Sequence, residues 1–453
     1  MKTFLDWSAY RDAGMGDAYA DIPKQGGDFA KAVAVCINSR QCETHNKGVM
    51  CPSYRVNDDV SLSTGARVRL LKAVLNGDLD SRAFLESDLV RAMELCVSCK
   101  GCKRECESNV DMAQIKIEYL AQLNAITGVS LRARLFAGLP RWLYAAPWMK
   151  QLMAMRNRTP WLARWGERLL GISAKRLLPE PATKNFHLSK RTGESETGLP
   201  VVLFVDTFTH NFEPDIAQAA QEVLSAAGYA VTIAQAMRQD SQRPLCCGRT
   251  YLSQGMIEQA KEEAQRVLVA LLPHARQGIP IVGLEPSCLL TLRDEYKALG
   301  LGDEVLELAG QAMLFEEFLA KELSAGRLKL PLRALEASSE KTLIHGHCHQ
   351  KAVGAMKSMR KVLKLIPQFE FEMIEASCCG MAGSFGIEVE HQEFSLAIGE
   401  QALLPTLRQA PEARIIANGY SCRQQIKEGA QRRSVHLAEL LRDALDVDEY
   451  PAG

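Results

Sequence analysis

The sequence predicts an α+β multidomain protein, in which a cysteine-rich α-helical N-terminal domain precedes two repeated α/β modules with mainly parallel sheets. Three observations predict this organisation: clustered cysteines before residue 107, alternating short apolar runs and helical stretches beyond residue 181, and a recurring Cys-Cys-Gly motif. A chain of 453 residues is long enough for about two to four domains. The predicted domains are 20–125, 126–195, 196–335 (the first module) and 336–447 (the second module).

The most specific motif lies in the N-terminal domain. Cys96, Cys99, Cys102 and Cys106 form the run C-x2-C-x2-C-x3-C. This spacing lets one tight loop direct three thiolates to a cubane iron–sulfur cluster while the fourth ligates another cluster. Zinc is the main alternative, but zinc sites normally use two C-x2-C pairs separated by a loop. The run therefore predicts a ferredoxin-type domain with a [4Fe-4S] cluster, and hence an electron carrier.

Three further cysteines precede this run and suggest a second cluster. In a two-cluster arrangement, the fourth cysteine of each run ligates the cluster that the other run builds. One complete ligand set is then Cys51, Cys96, Cys99 and Cys102. The other set is Cys36, Cys42 and Cys106. The second set suits a [3Fe-4S] cluster, or a [4Fe-4S] cluster whose last iron takes Ser39, His45 or water. Alternatively it holds nothing, and Cys106 completes the first cluster while Cys51 is idle.

The predicted linker, 126–195, contains a basic and tryptophan-rich stretch over 131–176. Ten lysines and arginines accompany the single acid Glu167, and the stretch holds four of the five tryptophans in the chain. Cationic and indole side chains share the boundary between water and lipid in interfacial helices. Prolines at 140, 147 and 160 divide the stretch into short pieces. Two interpretations follow: peripheral membrane contact through 131–176, or packing of these helices on a neighbouring domain or protein.

Beyond this linker, short β-branched or apolar runs predict strands. They are Pro200–Phe208, Ala230–Ala234, Ile279–Leu284, Thr342–His345, Phe371–Glu375 and Arg414–Asn418. Helical stretches such as Ala217–Ala227 and Gln254–Leu272 lie between them. This alternation is typical of α/β domains with mainly parallel strands.

The repeat is visible in the cysteines of the two modules. The Cys-Cys-Gly motif at Cys246 recurs at Cys378, and each copy is followed by a strand and a turn with one cysteine, Cys288 or Cys422. Two copies of one module are the economical explanation. Thr207 stands in the first copy where the second has a leading cysteine, so the first module is predicted to be degenerate and structural.

The second module is predicted to gather four thiols. Cys348, the pair Cys378 and Cys379, and Cys422 each follow a different predicted strand. The carboxyl ends of parallel strands converge on one crevice, so these thiols are expected to meet there. Adjacent cysteines pair with each other only under strain. They are better suited to binding one cofactor, and the site is predicted to hold a cluster, zinc or nothing.

Composition excludes several classes of function. Lysine plus arginine equals aspartate plus glutamate, at 54 each, so no global charge favours nucleic acid as a partner. No apolar run is long enough for an obvious spanning helix. No secretory leader is recognisable at Met1–Tyr10, and the clustered cysteines favour a reducing compartment. The expected location is cytoplasmic, with peripheral contact to the inner face of the cytoplasmic membrane as the alternative.

These motifs together resemble a known family. The phrases that carry the resemblance are Cys51-Pro52-Ser53-Tyr54, Ser63-Thr64-Gly65-Ala66-Arg67, the Cys96–Cys106 run, Cys348-His349-Gln350-Lys351-Ala352, and the two Cys-Cys-Gly modules. They are similar to the iron–sulfur half of FAD-linked D-2-hydroxyacid dehydrogenases. Members include the iron–sulfur subunits of glycolate oxidase and anaerobic glycerol-3-phosphate dehydrogenase, and the C-terminal halves of fused D-lactate or D-2-hydroxyglutarate dehydrogenases.

The resemblance implies a division of labour. A flavoprotein half oxidises the 2-hydroxyacid, and this half passes electrons one at a time to a quinone or another carrier. No flavin-binding sequence is recognisable in the chain, so FAD is expected on the partner half. The Cys-Cys-Gly modules are also similar to those of heterodisulfide reductase, where such cysteines bind an unusual cluster or zinc. A thiol/disulfide redox enzyme is therefore the alternative function, and a zinc scaffold without redox activity is a third.

Overall fold

The N-terminal domain is helical in a computed structural model that describes residues 1–15, 17, 20–45, 48–77, 82–186, 198–236, 243–336 and 340–446. Its helices are α1 (Asp28–Ala34), α2 (Pro52–Asn57), α3 (Thr64–Asn76), α4 (Ser87–Glu94), α5 (Gly101–Glu105) and α6 (Met112–Thr127). Side-chain caps define their starts: the Ser63 hydroxyl accepts from Ala66 N–H before α3, and the Asp111 carboxylate accepts from Gln114 N–H before α6. The boundary predicted between 195 and 196 lies outside the described residues.

Short helices follow, as the prolines predict. They are α7 (Leu131–Ala137), α8 (Leu139–Ala145), α9 (Trp148–Arg158) and α10 (Pro160–Leu170). Pro140 and Pro160 lie in the first turns of α8 and α10, where a missing N–H costs no hydrogen bond. In the described ranges, no helix combines the length and apolar character needed to cross a bilayer.

The next segment builds a parallel sheet with the strand order β2-β1-β3-β4. Its strands are β1 (Leu199–Phe204), β2 (Tyr229–Ile233), β3 (Ile281–Gly283) and β4 (Ala312–Leu314). Its helices are α11 (Thr207–Asn211), α12 (Pro214–Ala226), α13 (Arg249–Leu252), α14 (Ile257–Arg276), α15 (Pro286–Arg293), α16 (Glu304–Gln311) and α17 (Phe315–Ser324). The predicted strand Pro200–Phe208 is too long, because the Asp206 carboxylate accepts from the Phe208 and Thr209 N–H groups and starts α11.

The last segment builds a smaller parallel sheet with the order β6-β5-β7. Its strands are β5 (Thr342–Ile344), β6 (Phe371–Met373) and β7 (Ile415–Ile416). Its helices are α18 (Cys348–Ala352), α19 (Met356–Leu363), α20 (Gln392–Glu400), α21 (Leu403–Gln409), α22 (Tyr420–Gly429) and α23 (Leu437–Asp443). In both sheets, the first strand in sequence is flanked by the next two. The prediction of helical and parallel α/β parts is confirmed.

Both sheets contribute to one apolar core. Leu203 of β1 and Ile344 of β5 belong to the same buried cluster, and α12 packs on α23 while α17 packs on α19. The loops at the carboxyl ends of β3 and β7 also meet, because the Tyr420 N–H donates to the Glu285 carboxylate at 2.6 Å. The carboxyl ends of the two sheets therefore lie close together, next to the N-terminal domain.

Candidate metal centres

Four of the predicted ligands surround one small cavity in the N-terminal domain. This first thiol set consists of Cys51, Cys96, Cys99 and Cys102. Cys51 immediately precedes α2, whereas the other three lie before and within α5. The structure thus brings together the crossed ligand set predicted from the cysteine spacing. Cys51, rather than Cys106, lines this cavity.

Backbone geometry shapes the loop that carries three of these thiols. Ser98 and Lys100 have positive φ angles of 49° and 60°, which residues other than glycine adopt at some cost. A Cβ atom added at Gly101 would lie 2.7 Å from the Met50 backbone nitrogen. Only glycine allows this close approach, which brings the loop against the chain that leads into Cys51.

Buried cations accompany the first thiol set. Arg67 lines the cavity and is 2% exposed, and Lys116 Nζ donates to the Cys96 carbonyl at 2.6 Å. Burial raises the pKa of the Cys96 thiol, but Arg67 and Lys116 outweigh it and hold this pKa below its ordinary value. Burial, with repulsion from neighbouring thiols, raises the pKa of Cys99 and of Cys102. Such clustered thiols ionise together when a metal supplies positive charge, so they fit an iron–sulfur cluster.

The second predicted set also comes together in the N-terminal domain. This second thiol set consists of Cys36, Cys42 and Cys106. The first of these is close to both others, and the Gly65 N–H donates to Cys42 Sγ at 3.2 Å. Of the side chains predicted to replace the missing ligand, Ser39 is exposed, and His45 Nε2 contacts the Asp58 carboxylate. The structure therefore gathers the three thiols, while Ser39 faces solvent and His45 is paired with Asp58.

Four more thiols meet at the carboxyl ends of β5, β6 and β7. This CCG thiol set consists of Cys348, Cys378, Cys379 and Cys422. Thiol hydrogen bonds connect its members in chain order, and all four are buried. The pKa of each thiol lies above its ordinary value. Thiol hydrogen bonds and burial raise it for Cys348, Cys378 and Cys379, whereas for Cys422 burial and repulsion from the other thiols outweigh the lowering by the hydrogen bond with Cys379. The thiols converge as the parallel strands predict.

Sequence reasoning missed one member of this site, His345. Its ring lies with Cys379 and Cys422 in a group whose potential ligand atoms are all within 4.8 Å of one another. The side chain is 1% exposed, and neither ring nitrogen has a hydrogen-bond partner among the described residues. Burial lowers its pKa well below the ordinary value, so the imidazole is neutral, the form that binds metals. An unsatisfied buried imidazole beside thiols fits a metal ligand.

The glycine of the second Cys-Cys-Gly motif has a geometric role that predicts a large mutational effect. Gly380 has φ of 91°, and an added Cβ would lie 2.1 Å from the Ser395 carbonyl oxygen. We expect Gly380→Ala to destabilise the protein by more than about 3 kcal/mol, because left-handed strain and a backbone clash add together. Thermal unfolding of the metal-loaded protein measures this.

Gly383 provides a matched control for that substitution. It also has a positive φ, 68°, but an added Cβ meets no atom within 4 Å. Gly383→Ala should therefore cost only the left-handed strain, about 1–2 kcal/mol. Equal losses in the two variants would contradict the clash at Gly380.

The first module also gathers its cysteines. Cys247 forms thiol hydrogen bonds with Cys246 and Cys288, and the Tyr296 hydroxyl donates to the Cys247 carbonyl at 3.1 Å. Thr207 begins the helix after β1, as Cys348 begins the helix after β5.

The first thiol set and the CCG thiol set are neighbours. Cys99 is close enough to Cys348 and Cys378 for their charges to interact, and it belongs to the same buried cluster as the CCG thiols. His349 Nε2 lies 3.0 Å from the Ser98 carbonyl oxygen and ties the two loops together. Lys100 binds Asp294 in the first-sheet segment at 2.5 Å. The N-terminal domain is thus held with Cys99 against the CCG thiols.

Each of the two cysteine-rich regions matches a known domain family. Residues 35–111 match the 4Fe-4S dicluster domain, and residues 342–427 match the cysteine-rich domain. The chain is therefore an iron–sulfur protein that combines these two domains, and the predicted iron–sulfur cofactor is confirmed. The dicluster match spans both N-terminal thiol sets, and the second match spans the CCG thiols together with His345.

Curated relatives include oxidoreductase components. The chain is 24% identical to the D-2-hydroxyglutarate dehydrogenase of Escherichia coli K12 over 75% of its length, which is 33% of that enzyme. It is 26% identical to one subunit of the anaerobic glycerol-3-phosphate dehydrogenase of the same strain, over 61% of the chain and 67% of that relative. It is 24% identical to the probable glycolate oxidase iron-sulfur subunit of Bacillus subtilis 168, over 87% of the chain and 91% of that relative.

These comparisons confirm the resemblance that the motifs predict. The chain spans about a third of the length of the D-2-hydroxyglutarate dehydrogenases that it matches. No solved structure matches the chain.

Proposed function

We propose that the chain is the iron–sulfur electron-transfer component of an FAD-dependent 2-hydroxyacid dehydrogenase. The observation that carries this proposal is the proximity of the first thiol set and the CCG thiol set at Cys99, which belongs to the same buried cluster as the CCG thiols. Two redox groups at such neighbouring sites exchange electrons without a further carrier between them. The names of the relatives support the reaction class.

Three sites would hold redox groups. The first thiol set supplies four thiolates to a [4Fe-4S] cluster, and the second supplies three to a further [4Fe-4S] or a [3Fe-4S] cluster. The CCG thiol set, together with His345, would hold a third metal centre. When bound, these groups accept and donate single electrons. The chain's own contribution is to fix the thiols, exclude water and place compensating cations such as Arg67 and Lys351 beside them.

A separate flavin half would supply the electrons. Because the matched D-2-hydroxyglutarate dehydrogenases are about three times longer than their aligned part, the hydride acceptor is assigned to an FAD-binding partner. Reduced flavin would then be reoxidised in two single-electron steps through the clusters. The terminal acceptor is a quinone or another carrier.

The division of the chain into domains, and the repeat of the last two, are part of the same proposal. We assign the domains to 20–125, 126–195, 196–335 and 336–447, with the last two as copies of one module. The shared position of the first strand between the next two in both sheets supports this repeat, as does the equivalent position of Thr207 and Cys348.

The linker helices serve two purposes in this proposal. Some cations bind within the protein: Arg132 reaches Glu390 on the CCG side at 2.9 Å, and Arg141 reaches Glu262 at 2.6 Å. These contacts support packing on the neighbouring modules. Trp161 and Trp165 are 63% and 57% exposed, which supports peripheral membrane contact through 131–176.

A second function, thiol/disulfide chemistry of heterodisulfide-reductase type, has one observation in its favour. Cys348, Cys378 and Cys379 line a large cavity that a substrate could enter. Reduction of a disulfide by the isolated chain would support this function. Co-purification with a flavoprotein supports the first.

Electron transfer from the flavin partner is the decisive test. The anaerobic complex is mixed with a D-2-hydroxyacid, and flavin and cluster absorbance are followed separately. We expect flavin bleaching first and cluster bleaching second. Flavin reduction without any cluster reduction would overturn the proposal, and so would a purified protein that contains zinc but no iron.

The substitution His345→Phe tests whether His345 binds a metal. Its effect on stability should be opposite in the two cases. If no metal binds, His345→Phe removes two unsatisfied buried nitrogens and should stabilise the protein by about 1–3 kcal/mol. If His345 binds the metal, its replacement should lower the melting temperature and the metal content while leaving the N-terminal cluster signals unchanged. Melting curves, metal analysis and electron paramagnetic resonance of both proteins distinguish the two results.

His436 offers the matched control for this test. It is also 1% exposed, but both its ring nitrogens have partners, the Leu284 carbonyl at 3.2 Å and the Ala438 N–H at 3.0 Å. His436→Phe should therefore destabilise the protein without changing its metal content. A stabilised His345→Phe protein with full metal content would contradict the ligand role.

A further inference from the structure

A cavity of about 1050 Å³ separates helices α7–α10 from the metal centres. Its inner end is lined by thiols of both neighbouring sets, Cys96, Cys348, Cys378 and Cys379. A large part of its other walls comes from the linker helices, including all four of their tryptophans. The cavity thus connects the redox sites to the basic, tryptophan-rich surface.

The walls of the cavity are mainly apolar. Leu139, Met149, Leu152 and Met153 line it between the inner and outer ends. Trp148, which is also part of the lining, is 61% exposed. A volume at the upper end of the range for small-molecule sites, with such walls, favours a ligand that has a long apolar portion.

A small polar group interrupts these apolar walls. Glu388 and His391 both line the cavity and are 9% and 8% exposed. His391 Nδ1 lies 2.8 Å from the Glu388 carboxylate, which also accepts from the Ser384 hydroxyl at 2.8 Å. The Phe385 ring stacks on the imidazole with centroids 4.5 Å apart. The carboxylate fixes the ring, and Nε2 is left as the nitrogen that serves a ligand.

We propose that this cavity binds a lipid-soluble quinone, with its ring beside His391 and the CCG thiols and its isoprenoid tail along the linker helices. The inference rests on the proposed function, which supplies the electrons. The quinone ring would accept two single electrons from the reduced metal centres. It would also take up two protons that come from solvent, one of them passed on by His391, so that both carbonyl groups become hydroxyl groups.

The chemistry of the walls distinguishes a quinone from a soluble disulfide. A polar disulfide would lose hydration along the apolar walls, which supply no hydrogen bonds to replace it. An isoprenoid tail gains by leaving water there, and indole side chains at the rim suit entry from a lipid surface. The acceptor site therefore explains why the tryptophans gather around one opening.

Gly166 allows the cavity to be filled without damaging the fold. It lies within α10, lines the cavity, and an added Cβ meets no atom within 4 Å. Gly166→Trp should place an indole in the ligand's space, while removal of a helical glycine favours the helix. Gly310→Trp is the matched control, because Gly310 lies in α16 with equally open space and is not part of the cavity lining.

Binding of decylubiquinone to the oxidised, cluster-loaded chain is measured by isothermal titration calorimetry. We expect Gly166→Trp to raise the dissociation constant at least about tenfold and Gly310→Trp to leave it unchanged. His391→Gln should slow quinone reduction by the complete complex while cluster spectra and cluster reduction by flavin stay as in the wild type. Equal affinity in the two tryptophan variants would overturn the proposal, and so would undetectable binding to the wild type.

Cluster reduction by flavin and cluster reoxidation by quinone are measured separately, so the electron-transfer role and the quinone site can fail independently. If flavin fails to reduce the clusters, the electron-transfer role is wrong, whatever binds in the cavity. If the clusters are reduced but decylubiquinone neither binds nor reoxidises them, the quinone site alone is wrong. Reoxidation by a small disulfide instead of the quinone would assign the cavity to thiol/disulfide chemistry.

Discussion

Replacing Cys99 by alanine is expected to abolish electron transfer to the acceptor while the flavin partner is still reduced by its substrate. Cys99 belongs to the first thiol set and is also close enough to Cys348 and Cys378 for their charges to interact. Its loss removes one of four thiolates from a cubane and exposes one iron. It also removes the thiol of the first set that shares a buried cluster with the CCG thiol set.

Iron content and spectroscopy report the outcome directly. We expect the variant to lose about four irons per chain, one cubane, together with its visible absorbance and its paramagnetic signal. Flavin bleaching after addition of the hydroxyacid should be unchanged, because no step of that reaction is assigned to this chain. Unchanged reduction of the acceptor by the variant would remove Cys99 from the electron path.

Cys288→Ala is the matched control for this substitution. Cys288 is also buried and forms a hydrogen bond with another thiol, Cys247, but it lies in the module proposed to be structural. We expect it to leave iron content and electron transfer intact, with at most a small loss of stability. A loss of iron in this variant would instead assign a metal to the first module.

Much of this site could be predicted because its information is local in the sequence. The spacing of the Cys96–Cys106 run limits which thiols reach one cluster, and the crossed pattern points to Cys51 as the fourth ligand. The parallel strands likewise predicted that Cys348 and Cys422 would meet, because strand ends in such sheets lie on one edge. In each case a short-range pattern combines with a general rule of topology.

Other features depend on tertiary contacts that a sequence does not display. His345 ends a predicted strand. Only the packed structure shows its ring beside two thiols, with no hydrogen-bond partner for either nitrogen among the described residues. The cations of 131–176 looked alike in sequence, but Arg156 is buried against backbone carbonyls whereas Arg164 is exposed. Strand β4 was not predicted, since three residues are too few for a recognisable alternation.

Arg67→Met is expected to make the cluster of the first thiol set harder to reduce. Arg67 is 2% exposed and lines the cavity with the thiols. Its Nε donates to the Ala92 carbonyl at 2.7 Å, while one terminal nitrogen is buried with no hydrogen-bond partner among the described residues. A guanidinium held in this way by the fold contributes its full charge to the site.

The sign of the effect follows from the charge on the cluster. Reduction adds one negative charge, which a nearby cation stabilises, so removal of the cation shifts the reduction potential to more negative values. A unit charge at about 6 Å in an effective dielectric of about 20 contributes about 3 kcal/mol. The expected shift for a one-electron couple is therefore on the order of 100 mV. Redox titration followed by electron paramagnetic resonance measures it.

Arg67→Lys separates charge from packing. Lysine keeps the positive charge but loses the planar donors of guanidinium, so its potential should lie close to the wild-type value even if its stability falls. A methionine variant that has full iron content and an unchanged potential would show that Arg67 acts only through packing. If the methionine variant fails to assemble the cluster while the lysine variant assembles it, the positive charge is needed for cluster assembly itself. Thiolates gathered away from water require a compensating cation before the metal arrives.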